Sequence, residues 1–463
     1  MNRCNVDSTP ETRAPGGLLR SRPWQVAIIG LGTATAQLDS SVNIAFPAIT
    51  RGFDLAIPDI QWVVICYVLT YASLLLAMGR IGDTIGHAVV YRIGLAWSAV
   101  AFLLVGYAPG YGAMLLFRCL QGVGAALVLS CGVALVTSLF DERQRGRALG
   151  IYTMMMALGL MLGPLLGGTL TALWDWPAVF WFRIPIALAA LLLLRSVPVS
   201  QVGRAGDRFD FLGGAALILG LVTMLLALNR IRELSAIPLG LFSVAAFIAF
   251  GIRQSRAEHP LIATKILKSP GFALLNIVSV TTNVAAFSVW LLVPYYLARV
   301  PGHSLAENGA ILAAGAAGAV LASPIGGRLI ERALSAERLA IAGAVVIAAG
   351  LLLISTWTEQ TSRALLVTGL VVQGIGLGLF QLAYTEFVTS ALPVAERGVA
   401  GSLTLLTRMF GTVTAASVIL MLFEILQIHH GFSEAFHLTF QSAALLALCS
   451  AGVLAFLPHR IVH

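Results

Sequence analysis

Asp39, Arg118, Glu386 and Arg408 are ionisable residues that stand in apolar stretches. Asp39 lies about 22 Å along a helix beginning at Trp24, at a rise of 1.5 Å per residue. A carboxylate that deep in hydrocarbon is costly unless it is paired, hydrated or protonated. Two uses are open to it. Burial favours its neutral form and a nearby cation its ionised form, so a group caught between them loads and releases a proton as access changes. Alternatively it is a packing residue that bonds a neighbouring helix. Arg118 sits about 9 Å from one end of its stretch, and Asp39 about 15 Å from the matching end of its own. Those depths suit coupling through packing or a water. Arg408 is about 12 Å into its stretch, deep enough to want a partner, and Glu386 on the preceding stretch is one candidate. Glu386 lies four residues before Ser390, so reaching out to the membrane interface is its simpler role.

The elements that position these groups are membrane-length. The chain is 58% hydrophobic and 11% charged, against roughly 25% charged in soluble proteins, and its mean hydropathy is +0.89. These values exclude a soluble globule and a disordered chain. Fourteen apolar runs are present, at 24–49, 61–78, 89–107, 112–138, 149–172, 177–195, 211–229, 236–252, 272–298, 307–328, 338–356, 363–388, 400–426 and 436–457. Each approaches the length needed to cross a bilayer. The expected fold class is an all-α polytopic membrane protein. With the N-terminus in the cytoplasm, inside segments carry 21 Lys and Arg residues and outside segments 6, a strong positive-inside bias. The first run is too long for a signal peptide and is expected to stay as an anchor. A net charge of +8 reflects scattered arginines rather than a basic stripe, so nucleic-acid binding is not expected. The five cysteines show no metal-ligand spacing. No P-loop, H-E-x-x-H or G-x-S-x-G occurs, so the chain is not expected to be an enzyme, and no metal or cofactor is expected. A polytopic membrane enzyme, a channel or a sensor remains a weaker alternative.

Residues 121–149 align without gaps to 373–401, with ten identities in 29 positions. Gln121-Gly122-Val123-Gly124 matches Gln373-Gly374-Ile375-Gly376, and Val136-Thr137-Ser138 matches Val388-Thr389-Ser390. The repeat pairs the fourth run with the twelfth. Six runs precede the middle and six follow it, leaving runs seven and eight as a connecting pair. Parallel halves of this kind are one transporter architecture.

Several motifs make the comparison specific. The first run contains Leu38-Asp39-Ser40-Ser41-Val42-Asn43-Ile44-Ala45-Phe46-Pro47, and the fourth Arg118-Cys119-Leu120-Gln121-Gly122-Val123-Gly124-Ala125-Ala126. After the second run comes Gly79-Arg80-Ile81-Gly82-Asp83-Thr84-Ile85-Gly86-His87-Ala88. The fifth holds Gly159, Gly163, Pro164, Gly167 and Gly168. From about Trp24 onward the chain resembles the major facilitator superfamily, in its fourteen-span drug:proton antiporter branch. The resemblance implies two six-helix bundles plus two linker helices. Its divisions are a cytoplasmic tail at 1–23, bundles at 24–197 and 271–457, a linker at 198–270 and a second tail at 458–463.

The resemblance further implies that Arg118 modulates protonation of Asp39, and that Gly79, Arg80, Asp83 and Gly86 form a cytoplasmic gate. Asp83 would bond helix N-termini or arginines across the interface between halves. Thr84, His87 and Ala88 depart from the family pattern, which usually has basic residues there. Arg183 departs as well, standing where the pattern usually has Asn, and adds a cation at the outer rim. Gly159, Gly163 and Gly167 form a smooth face, Pro164 bends the helix, and Gly315, Ala316, Gly318 and Ala319 offer a matching surface in the tenth run. Two such faces would make a seam between halves, and the motif is associated with exporters. Trp62, Tyr67, Met154 and Phe287 are candidates for the substrate cavity. The implied function is proton-coupled export of lipophilic or amphipathic small molecules, that is, multidrug efflux by alternating access. Export of one native metabolite or lipid-like compound is the alternative. No cofactor is implied beyond the proton gradient. The implied setting is a bacterial inner membrane with both termini cytoplasmic. The implied partners are substrate, protons and lipid, with a monomeric chain that in a two-membrane bacterium can work with a periplasmic adaptor.

Overall fold

The first apolar run is not one continuous helix. In the computed structural model it divides into α1 (Arg22–Gln37), α2 (Ser40–Ile44) and α3 (Phe46–Gly52). The structure describes residues 22–140, 142–197, 211–230, 234–256, 270–331, 334–390 and 397–456. Local chemistry explains both breaks. Pro47 has no N–H to offer the carbonyl of Asn43, and the chain bends two residues before it at Ala45. At Leu38–Asp39 the backbone tightens to i→i+3 bonds, such as Asp39 N–H to Ala36 O at 3.3 Å and Ser41 N–H to Leu38 O at 3.0 Å. Ser40 Oγ donates to Gln37 O and to Leu160 O, both at 3.0 Å. A serine that bonds backbone in this way competes with the helical ladder. Asp39 therefore sits in the turn between two helices, not part-way along one.

The remaining first-bundle helices are α4 (Gln61–Ile85), α5 (His87–Gly106), α6 (Tyr111–Ser138), α7 (Glu142–Trp174), α8 (Ala178–Trp181) and α9 (Arg183–Leu193). Two further helices follow, α10 (Phe211–Asn229) and α11 (Ala236–Arg256). They pack on each other, and α10 also rests on α4. The second bundle holds α12 (Pro270–Leu297), α13 (Leu305–Glu331), α14 (Ala336–Ile354), α15 (Arg363–Ser390) and α16 (Arg397–Phe456). The last of these is interrupted at Gly431, whose φ of 78° is not helical. Eleven helices among the described residues are long and apolar enough to cross a membrane.

The sequence repeat is a structural repeat. A Cβ on Gly122 would meet Tyr67 and Thr70 of α4, and one on Gly124 would meet Trp97 and Ser98 of α5. In the second bundle, Gly374 lies against Gly315 and Ala319 of α13, and Gly376 against Gly343 and Ile347 of α14. Each central helix thus uses two glycines to admit two neighbours at backbone distance, where a methyl group would intrude. Gln121 reaches the first helical stretch of its bundle, and Gln373 Nε2 donates to Ala286 O on α12 at 3.3 Å.

The expected seam is corrected in detail. Gly315 and Gly318 do not face the first bundle; they pack on Leu370 and Val371 of α15, within their own bundle. The contact between bundles is made by Pro164 and Gly168 of α7 against Leu305 and Gly309 of α13. Thr50 and Tyr295 join the bundles nearby, hydroxyl to hydroxyl at 2.7 Å. Tyr71 of α4 reaches the Met409 sulfur of α16. Small residues on both faces allow more than one pairing, and a sequence pattern alone does not say which neighbour each face meets.

Candidate functional site

The break at Leu38–Asp39 points the Asp39 carboxylate into the first bundle, where two arginines meet it. Arg118 holds it in a two-pronged pair, Nη1 to Oδ1 at 2.7 Å and Nη2 to Oδ2 at 2.9 Å. Arg183 Nη1 donates to Oδ1 at 2.8 Å, and Gln121 Nε2 donates to the same oxygen at 2.8 Å. The guanidinium of Arg118 is itself fixed, with Nε donating to Val63 O at 2.9 Å and Nη1 to Gln121 Oε1 at 2.8 Å. Such fork-to-carboxylate geometry is the strongest class of charged hydrogen bond. Aromatic faces complete the enclosure. Arg118 lies 4.5 Å from the Tyr67 ring centroid, Arg183 lies 4.5 Å from that of Phe102, and Phe180 sits beside both.

Arg118 and Arg183 are almost completely buried, at 2% and 0% side-chain exposure, whereas Asp39 keeps 14%. The acid is therefore the least buried of the three charged groups. Counted as full charges, one carboxylate faces two guanidiniums, so the cluster carries a net charge of +1.

Arg183 is the residue that sequence reasoning misplaced. It was expected at the outer rim, yet its side chain runs inward from the start of α9, with Nε on Val179 O at 3.1 Å. The usable signal was a cation opening an apolar helix. Gln121 was read only as part of a motif, and its role as a second bridge from α6 to Asp39 emerges from the geometry.

Other expected site residues separate. Glu386 is exposed and Arg408 half-buried, and no ion pair joins them. Arg408 instead lies near Tyr71 of the first bundle, next to the Met409 contact. Asp83 pairs with His87 Nε2 at 3.1 Å within its own loop. Among the described residues this contact is made in place of the cross-bundle partner expected for Asp83. Gly86 joins α4 to α5 at φ 100°, a conformation that favours glycine. Gly79 is loosely surrounded, its nearest neighbour being Ser130. The Arg80 side chain lies outside the described residues. The exporter-type motif has two uses. Gly159, Gly163 and Gly167 press on the broken first stretch at Ala34–Gln37, Ser40 and Ser41, on either side of Asp39. Pro164 and Gly168 face the other bundle. Tyr67 belongs to the charge cluster. Met154 is exposed, Phe287 packs against the core, and Trp62 lines a lateral cavity against α10.

The family model for the Major Facilitator Superfamily matches residues 29–416. The chain belongs to that superfamily. The riboflavin transporter RibZ of Clostridioides difficile is 27% identical over 382 residues, 82% of this chain and 83% of that protein. The tetracenomycin C resistance and export protein of Streptomyces glaucescens is 28% identical over 397 residues, covering 84% and 74% of the two chains. Other relatives, at 27% identity, are named as multidrug transport or resistance proteins. Among solved structures, a bacterial homologue of the human lysosomal transporter Spinster superposes with a TM-score of 0.70 at 16% identity, over 95% of this chain and 97% of that one. The protein is a multi-pass transporter of the superfamily rather than an enzyme, and its substrates are small molecules.

Proposed function

We propose that the protein is a proton-coupled exporter of lipophilic or amphipathic small molecules, with Asp39 as proton carrier and Arg118 as its modulator. One observation carries the reading. The only carboxylate of the cluster is held by two enclosed cations and is the least buried of the three charged groups. A proton arriving on Asp39 leaves both guanidiniums without their counter-charge, so loading the acid must loosen α6 and α9 from the break between α1 and α2. That is a direct mechanical link between protonation and helix packing. The exporter-type glycines pack on both sides of the same break, and several relatives bear names of drug-resistance proteins.

The reading includes fourteen crossings. The broken first stretch supplies one, α10 another, and α16 crosses twice by reversing at Gly431. The two bundles occupy 24–197 and 271–457, with the linker pair between them. Both termini face the cytoplasm of a bacterial inner membrane, as the charge bias favours. The inter-bundle contacts at Thr50–Tyr295 and Gly168–Gly309 then fall toward the outer surface, which supports an inward-open state. One proton crossing 100 mV supplies about 2.3 kcal/mol, enough for roughly a fiftyfold gradient at ~1.4 kcal/mol per decade. The riboflavin-transporting relative favours a second reading, export of a single native metabolite.

Proteoliposomes test the coupling. Ethidium added to vesicles of the wild-type protein should provoke proton movement, and Asp39→Asn should abolish it while ethidium binding persists. Normal coupled transport by Asp39→Asn removes Asp39 from the mechanism.

A further inference from the structure

A cavity of about 360 Å³ lies between α4 and α10, and none of its lining residues belongs to the charge cluster. Its walls include Trp62, Cys66, Ser73 and Cys119 of the first bundle and Val222 and Leu226 of α10. That volume is at the lower end of small-molecule sites, roughly 300–1,000 Å³. Most of the lining is apolar, which suits a ligand drawn from the hydrocarbon phase.

One polar group breaks that pattern. Ser73 lines the cavity, is only 7% exposed, and its hydroxyl has no hydrogen-bond partner. A helical serine usually bonds the carbonyl one turn earlier, as Thr70 of the same helix does with Cys66 O at 2.7 Å. Ser73 forgoes that bond, and a buried hydroxyl left unpaired is costly. An acyl chain filling the cavity leaves it unpaired. A lipophilic molecule with one hydrogen-bonding group satisfies both the apolar walls and the hydroxyl.

We infer that the α4–α10 cavity is a binding site for neutral lipophilic compounds bearing a carbonyl or hydroxyl, bonded through Ser73. The site gives the linker pair a function, because α10 supplies one wall. Cys119 adjoins Arg118 in sequence, so the opposite wall belongs to the same turn of α6 that holds the charge cluster. Its use as an entrance for exported cargo rests on the export reading; its capacity to bind does not.

Benzophenone is a suitable probe, being a two-ring ketone that photo-cross-links to what it touches. The full-length protein in lipid nanodiscs is irradiated with benzophenone, and adducts are mapped by peptide mass spectrometry. Saturable adducts are expected within 62–74 and 222–226. Val222→Trp should remove them, with Leu226→Phe as a second filling variant should the first not purify as a folded protein. Ser73→Ala should raise the half-saturating benzophenone concentration about fivefold. The same substitution should leave competition by diphenylmethane, which lacks the ketone, unchanged. Adducts spread evenly over the lipid-facing surface, or unaffected by either filling variant, overturn the site. Equal half-saturation in wild type and Ser73→Ala overturns the role of the hydroxyl and leaves the cavity to lipid chains. Because the assay reads binding alone, its failure is separable from a failure of proton-coupled transport.

Discussion

Removing the negative charge of the cluster should be worse than removing one of its positive charges, and the two losses should partly cancel. Asp39 accepts four hydrogen bonds, three from guanidinium groups. Breaking a buried ion pair by deleting one partner costs about 3–5 kcal/mol, because the other charge is left buried and unpaired. Asp39→Asn strands two cations and takes the local charge from +1 to +2. Arg183→Asn takes it from +1 to 0 and leaves the two-pronged Arg118–Asp39 pair intact. It forfeits one charged hydrogen bond, about 1.5–3 kcal/mol, but also relieves the excess positive charge. The double variant returns the local charge to +1. Residues sharing one network typically couple by ~0.5–3 kcal/mol, and here the sign should be compensating. The assay is the thermal unfolding midpoint of all four proteins in lipid nanodiscs at one scan rate, because unfolding of such proteins is often irreversible. The expected order, from most to least stable, is wild type, Arg183→Asn, the double variant and Asp39→Asn. A double variant no more stable than Asp39→Asn refutes the claim that Arg183 and Asp39 balance one another.

Three glycine substitutions probe the scaffold. Gly86→Ala forces a side chain into φ 100°, ψ 126° at the α4–α5 joint, so it should cost about 1–3 kcal/mol; Gly79→Ala, whose Cβ would meet among the described residues only Ser130 Cβ at 3.8 Å, should leave the unfolding midpoint unchanged. Gly168→Val should drive α7 away from Leu305 and Gly309, abolishing vesicle transport while the midpoint stays within a few degrees of wild type; full transport by this variant argues against a working seam there.

The polytopic class and the repeat were legible because they rest on features that recur along the chain. Hydrophobic length and the Gln-Gly-x-Gly spacing each predict a neighbourhood, and Gly122, Gly124, Gly374 and Gly376 occupy equivalent ones. The Asp39–Arg118 pair was legible because each ionised group in hydrocarbon needs a partner and their depths matched. Depth does not give direction, however. Arg183 starts near a membrane face, and its inward turn depends on the break at Leu38–Asp39, which the hydrophobic pattern does not encode. The same ambiguity misdirected Glu386 and Arg408, whose spacing allowed a pair that the packing of α15 and α16 does not make.

The two copies of the repeat differ at the position that the proposed proton coupling uses. At the aligned offset, Leu370 stands in the place of Arg118, while Gln373 keeps the place of Gln121. Leu370 is fully buried, and Gln373 bonds a backbone carbonyl of α12 where Gln121 bonds a carboxylate. The two bundles thus share their close-packing glycines and differ in charge. Two similar bodies hinged at a glycine seam can rock, but rocking alone has no preferred direction. A titratable pair in both bundles would couple each state to protons in much the same way. On the proposed mechanism, an ion pair found among the described residues in one bundle makes protonation bear on the packing of that body, at the break between α1 and α2. The Gly163–Ser40 and Gly167–Ser41 contacts of α7 lie beside that break, and α7 also carries Gly168 at the seam. On the proposed mechanism, a change at Asp39 has a route to the inter-bundle contact along a single helix, α7.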